Sequence, residues 1–506
     1  MDTDVVVVGA GPTGLMLAAW LARLDVDAVI VDSKHEPTRE SRAVGLQARS
    51  IEIYDQLGVA DRVMAEARTA PAARPGYGHS MLHPVEFGSI GLGQTAFPQL
   101  YILEQSRNER ILVDALNASG RDVEWGTTVT GIDVIDGGVA VRVSDDAGAE
   151  RTITARYLVG ADGASSAVRE ARGIAFEGTT NDEIFCVIDA IGVRGLDNDA
   201  INIRPADRDL LLTFPMEGER HARVITLVSE GDDDDPDALE AAIRDRISAA
   251  FGVSWDSHTW FATYRVHHRV AERFRDGPVF LAGDAAHVHS PVGAQGMNTG
   301  LQDAHNLAFA FADVVKRGAD DSILDRYESE RMPVAHHLID TTDQLFSFVT
   351  SRDLGPRLIR RIGPRVLGPA VTRVVPHTWV GNRGFGYLAQ LRVRYRMPGS
   401  ERADGTRDPV IGRRLPWTGR NFAALRSLTW QVHEYGSVNP GVVREIERSL
   451  GCDVHVFSAA PGTPLVAGEF YLVRPDGYVA ARAHASDAVQ IFGQALPGAR
   501  TLEAEA

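Results

Sequence analysis

Four consecutive valines, Val5 to Val8, run directly into Gly9-Ala-Gly-Pro-Thr-Gly14, and this join leaves the chain little conformational choice. An apolar run without alternation predicts a parallel strand covered on both faces. The glycines follow as G-x-G-x-x-G. The first permits a tight turn, the second lets a pyrophosphate approach the backbone, and the third lets a helix pack close to the strand. A helix from about Thr13 to Leu24 would offer free amides and its positive dipole end to the phosphates. A second apolar run, Ala28 to Val31, ends in Asp32, a carboxylate placed to accept hydrogen bonds from a ribose diol. Strand, turn, helix, strand and acid together predict a βαβ dinucleotide-binding unit.

Much further along, Pro278 to Leu281 form another short buried run, ending at Gly283-Asp284. A glycine-rich stretch from Pro291 to Gly300 then leads into an Ala-rich helix over 299–317. Asp284 can bind ribitol or ribose hydroxyls. Amides near Gly296 and Met297, at a helix N-terminus, can stabilise negative charge on a reduced flavin. Two distant segments converging on one long cofactor point to FAD rather than NAD. Between them, the strand Thr152 to Val159 runs into Gly160-Ala-Asp-Gly163, a turn at a strand's carboxyl end. Arg42 and Arg49 flank a glycine turn at Gly45; they can pair with phosphates or lie in solvent, and spacing alone does not choose.

The remaining texture divides the chain. Helices are expected at Leu103 to Leu116 and from 320 to 350, strands at Val123 to Val134 and Val139 to Val143, and a loop or irregular strands across 71–98. From 176 to 275, alternating segments such as Ile184 to Ile191, Leu210 to Phe214 and Arg223 to Val228 predict antiparallel strands. The acidic run Asp232 to Asp235 reads as a solvated turn before a helix over Pro236 to Phe251. Residues 351–400, rich in Arg, Pro and Gly, read as connection. A last unit carries strands at Asp453 to Ser458 and Glu469 to Val473. The expected division is 1–175 and 276–400 for the nucleotide-binding part, 176–275 for a β-rich substrate part, and 401–506 for a C-terminal domain.

At 506 residues and a net charge of -16, the chain has ample core and no basic footprint for nucleic acid or an anionic membrane. Cys186 and Cys452 are its only cysteines, too few for a disulfide framework. No apolar stretch reaches transmembrane length, and the first strand leaves no room for a signal peptide, so cytoplasm is the expected compartment. His287 and His289 lie two apart without further ligand spacing, so no metal is expected.

Three motifs in this order, Gly9 to Gly14, Gly160 to Gly163 running through Arg169, and Gly283 to Asn298, resemble the single-component FAD-dependent aromatic hydroxylases. Within these class A flavoprotein monooxygenases, the chain looks most similar to the branch acting on phenols and aromatic polyketides. The resemblance implies an α/β fold: a Rossmann-like FAD-binding domain, an inserted antiparallel β-sheet substrate domain, and a C-terminal thioredoxin-like domain without Cys-x-x-Cys. It implies that Arg42 contacts phosphate, that Gln105 lies near the ribitol, and that Asp162 serves FAD and transient nicotinamide binding. Gly283, Asp284 and the segment Gly296 to Asn298 would meet the riboflavin half, with Pro291 at the flavin's reactive face. The implied reaction consumes NADPH or NADH and O2 and hydroxylates an aromatic substrate through a flavin C4a-hydroperoxide. Baeyer–Villiger or epoxidising insertion is the alternative on the same scaffold. Trp255 and Trp260 lack the Trp-x-Trp-x-Ile-Pro pattern of halogenases. No base is assigned among His221, Tyr264 and Tyr101. The expected form is a monomer or homodimer.

Overall fold

The valine run forms the strand Thr3–Val8 in the parallel part of a mixed eight-stranded sheet, to which Thr127–Ile135 and Gly138–Asp145 add antiparallel strands, with Val5, Val6 and Val7 wholly buried. The computed structural model describes residues 1–39, 43–206, 209–228, 235–289, 295–350, 379–402 and 404–497. Ala28–Asp32 and Glu150–Gly160 flank the valine strand in parallel. Val123–Trp125 extends the first side and Val279–Leu281 the second, again in parallel. The chain therefore winds outward from Thr3–Val8 in one direction and then in the other. The reversal lies between Thr3–Val8 and Glu150–Gly160, and ligands of open α/β sheets bind at the carboxyl ends of strands at such a point. All three sequence motifs follow adjacent strands there: the glycine turn after Val8, Ala161 to Gly163 after Gly160, and Gly283-Asp284 after Leu281.

A second, nine-stranded sheet holds the middle of the chain. Its longest strands, Phe176–Ile191 and Ser257–Ala271, pair antiparallel. The first begins well before the predicted Ile184, because Phe176 to Thr180 are held by register against His267 to Ala271 rather than by an apolar pattern of their own. The sheet also draws in distant segments. Ala72–Tyr77, in the stretch expected as loop or irregular strands, pairs in parallel with Ile201–Pro205; its Pro75 and Gly76 hide the strand from pattern. His287–Val288, just after Asp284, pairs with Arg269 and Val270. Helix Pro236–Phe251 covers one face with Leu239, Ile243, Ile247 and Phe251. The opposite face contributes Phe185, Val187, Leu212, Phe214 and Ile225 to a separate apolar cluster with Val44, Leu100 and Ile102.

Two helices complete the frame. Gly296–Val315 is buried almost throughout, from Asn298 to Val314, and Asp325–Thr350 follows it. Within the stretch expected as connection, Trp379–Leu388 is a helix; residues 351–378 lie outside the described residues, as do Asp232 to Asp234 of the acidic run. The C-terminal unit is a four-stranded sheet in which Gln431–Tyr435 pairs in parallel with Asp453–Phe457 and antiparallel with Glu469–Val473, followed by Val479–His484. Helices Pro440–Leu450 and Ala488–Ala495 accompany it, in the expected thioredoxin-like arrangement. Among the described residues, no helix is long and apolar enough to cross a membrane.

Candidate functional site

The glycine turn divides its three glycines by task. Gly9 has φ +102°, and a Cβ there would strike the backbone of Ala161 and Asp162. A Cβ on Gly14 would overlap the carbonyl oxygen of Gly9, so helix Pro12–Arg23 can lie this close only without a side chain. At Gly11 a Cβ would meet nothing within 4 Å among the described residues. The turn is open at that glycine, and no side chain caps the helix beginning there, so its first amides suit an anion. Asp32, 9% exposed, accepts from the Ala10 amide at 2.5 Å and the Lys34 amide at 2.8 Å. The acid at the second strand's end is thereby tied to the glycine turn.

The downstream motif reaches the same place. A Cβ on either Gly283 or Gly300 would run into Thr13 Oγ1, so Thr13 of the first motif is wedged against both downstream glycines. Gly283 to Ala285 form a short 3-10 turn. Asp284 is exposed while Gly283, Ala285 and Ala286 are buried. Among the described residues, no side chain caps the start of helix Gly296–Val315. Gly296 and Met297 are half-buried, and Asn108 Nδ2 lies 3.7 Å from the Met297 sulfur. Asn298 is buried: its Oδ1 accepts from Gln47 N at 2.9 Å and Ser50 Oγ at 2.6 Å, and its Nδ2 donates to Gly45 O at 2.8 Å. Its side chain fastens this helix to the Gly45 turn.

Gln105 opens helix Gln105–Ala118 and donates to Glu109 Oε1 at 2.9 Å. Asp162 accepts from Ser166 Oγ at 2.5 Å and Val168 N at 3.1 Å; burial raises its pKa despite these bonds. Arg42 and Pro291 lie outside the described residues. Tyr264 and Tyr101 are both pushed up by burial, and His221 Nδ1 sits 2.8 Å from Glu217 O. None of the three acquires the partner of an activated base. Among the described residues, no group of three metal-ligating side chains occurs.

Sequence reading missed the buried charges beneath the Asp284 turn. Asp303 Oδ2 accepts from His287 Nε2 at 2.7 Å and from Gly283 N at 3.2 Å, and its Oδ1 accepts from Arg331 Nε at 2.6 Å. Asp303 and Arg331 have side chains 0% exposed. Burial acts to raise the Asp303 pKa, but Arg331 and His287 outweigh it and hold the carboxyl at about 2. The available signal was an acid within an Ala-rich apolar helix, Asp303, which like Asp313 further along has to find a cation.

The open Gly11 turn, the uncapped helix starts and the exposed Asp284 together fit a long dinucleotide carrying a ribitol. Residues 2–342 match the family model described as FAD binding domain. The chain is 31% identical over 488 residues to a flavin-dependent monooxygenase of Mycobacteroides abscessus, covering 94% of this chain and 96% of that protein. It is also 31% identical over 490 residues to a rifampicin monooxygenase of Rhodococcus hoagii, covering 94% and 95%. Among solved structures, an anhydrotetracycline hydroxylase from Streptomyces rimosus superposes with a TM-score of 0.77 at 28% identity, covering 98% of each chain. Similarity over nearly the full length, joined to three motif loops on adjacent strands, places the chain in the FAD-binding-domain family, as a flavin-dependent monooxygenase of the aromatic hydroxylase class.

Proposed function

We propose that this enzyme hydroxylates a bulky aromatic substrate, phenolic, polyketide-like or antibiotic-like, using NADPH or NADH as electron donor and O2 as oxidant. The observation that carries this reading is a continuity of chain. The strand Val279–Leu281 ends in the cofactor loop at Asp284, and His287–Val288 then becomes the edge of the second sheet. A cofactor held by that loop adjoins the sheet without an intervening domain. The sheet's inner face supports an aromatic guest: Phe185 and Tyr264 stack at 5.8 Å, and Trp260 lies 5.0 Å from the Arg223 guanidinium. Arg223 makes a buried two-point pair with Asp189, at 2.7 Å for each bond. An aromatic ring system matches an apolar wall that carries Phe185, Trp260 and Tyr264. The relatives named for rifampicin and anhydrotetracycline support a substrate of that size.

When bound, FAD supplies the redox chemistry and the site of oxygen activation. The chain's part is to hold and shield it. Amides following Gly9 and Gly11 take the pyrophosphate, Asp32 the ribose hydroxyls, and Asp284 the ribitol. The first amides of helix Gly296–Val315, at Gly296 and Met297, would face the ring system and favour negative charge there through the helix dipole. Gln105, Asp162, Arg42 and Pro291 are further cofactor-side candidates by family position. The test is NAD(P)H oxidation with oxygen uptake across a panel of aromatic compounds. Acceleration of both by a phenol or polyketide supports the proposal, and a panel that accelerates neither refutes it.

A further inference from the structure

Asp303 grips the Asp284 turn on both sides, through the Gly283 amide before it and the His287 ring after it. The exposed carboxylate between them has little freedom to shift. Arg331, from helix Asp325–Thr350, joins that turn to the second cofactor element. Its Nε binds Asp303, and its Nη2 donates to Thr299 O, in the first turn of helix Gly296–Val315, at 3.2 Å. One buried ion pair thus fixes the Asp284 turn relative to the Gly296 and Met297 amides.

The pair does not end inside the cofactor domain. Arg331 Nη1 donates to Tyr395 Oη at 3.2 Å, and the Tyr395 ring stacks on Tyr478 at 4.1 Å. The neighbouring Glu330 accepts from both terminal nitrogens of Arg474 and from Asn306 Nδ2 at 2.6 Å. Arg474 also binds Asp476, whose backbone oxygen accepts from Arg49 Nη2 at 2.8 Å. Arg474 to Tyr478 is the Pro-Asp-Gly turn joining two strands of the C-terminal sheet, and it is buried, with Arg474 4% and Asp476 1% exposed. A turn usually belongs in water. This one is plugged into the domain that holds the flavin half of FAD.

We infer that Asp303 and Arg331 are positioning residues for the flavin half of FAD, and that the Arg474–Tyr478 turn holds them in place, making the C-terminal unit a remote wall of the cofactor site. This gives a thioredoxin-like unit without a thiol pair a task in the flavin reaction. The inference rests on the FAD assignment, and a ligand covering only one half of the site separates the two. In the full-length protein, equilibrium affinities for FAD and for ADP are measured for Asp303→Asn, Arg331→Lys, Arg474→Lys and Tyr395→Phe. The control is Arg426→Gln, which alters an exposed pair with Asp55.

The expected result is FAD affinity about tenfold weaker for Asp303→Asn and Arg331→Lys, on the order of one charged hydrogen bond. A several-fold loss is expected for Arg474→Lys and Tyr395→Phe, with a shifted flavin absorption band. ADP affinity stays at the unmodified value in all four, because ADP meets only the Gly9 to Asp32 half. Should Asp303→Asn fail to fold, Tyr395→Phe, which keeps the ring stack and loses only the hydroxyl, decides the matter. Equal losses of FAD and ADP, or unchanged FAD affinity in folded Arg474→Lys and Tyr395→Phe, would overturn the inference. Failure of the unmodified protein to bind FAD while ADP binds would instead count against the cofactor assignment.

Discussion

The two halves of the proposed cofactor site are built by different physics. The adenosine half lies within one short stretch, Gly9 to Asp32, and its shape is set by backbone sterics: a positive φ at Gly9, a forbidden Cβ at Gly14, and an open space at Gly11. The proposed flavin half is assembled from separate segments around Gly283, Gly296, Asp303 and Arg331, and buried side-chain charges hold it together. Backbone sterics tolerate almost no substitution but need no partners. A buried ion network depends on every member being present, since removing one leaves an uncompensated charge. Damage to the first half should therefore remove FAD and ADP together, and damage to the second should weaken FAD alone.

The largest effect is expected at Gly14→Glu. The new side chain has no room beside the Gly9 carbonyl, so FAD and ADP binding are both lost, as read from flavin absorbance after purification and from ADP titration. Asp284→Ala comes next, with FAD weakened about 10- to 100-fold for a lost charged hydrogen bond and ADP affinity unchanged. Retained ADP in the Gly14 variant, or lost ADP in the Asp284 variant, would erase the distinction between the halves.

Acid should act on both the cofactor domain and the C-terminal unit. Burial, with Arg49, pushes His305 of helix Gly296–Val315 down to about 3, and burial, with His455, pushes His433 of the C-terminal sheet to about 3. Unfolded histidines take up a proton near pH ~6.5, while the folded ones stay neutral until about pH 3. Their neutral burial is therefore fully favourable above about pH 6.5, and stability falls steadily as the pH drops toward 3. Urea unfolding across this window should show that loss, with His305→Gln and His433→Gln each reducing the slope by about one proton. A slope unchanged in both variants contradicts their neutral burial. The smallest effect is expected at Arg426→Gln, whose side chain is 59% exposed. Its stability change should stay below about 0.5 kcal/mol in thermal melts, and a larger value would mean the surface pair is more than peripheral.

This contrast also explains what the residue pattern reveals. The G-x-G-x-x-G unit, Asp32 and Gly283-Asp284 are legible because each is a short run whose residue types are dictated locally. Helix Pro236–Phe251 is likewise bounded as its pattern predicts, with Asp235 capping Ala238 N and Gly252 ending it in the left-handed region. Asp303 and Arg331 are not legible, because an acid in one helix announces no partner in another. Ala72–Tyr77 and the start of Phe176–Ile191 also lack a pattern of their own, since neighbouring strands supply their hydrogen bonds and register. The Asn298 side chain adds a task that its motif position does not announce: its bonds to Gly45, Gln47 and Ser50 fasten the helix start within the protein.

The most direct measurement is the mass of the product formed by the full-length enzyme with FAD, NAD(P)H and an accelerating aromatic substrate under isotopically labelled O2. One added oxygen atom carrying the label, on an aromatic carbon, is the expected result. An unlabelled oxygen drawn from water, or turnover of NAD(P)H to peroxide with no oxygenated product from any substrate, would contradict it.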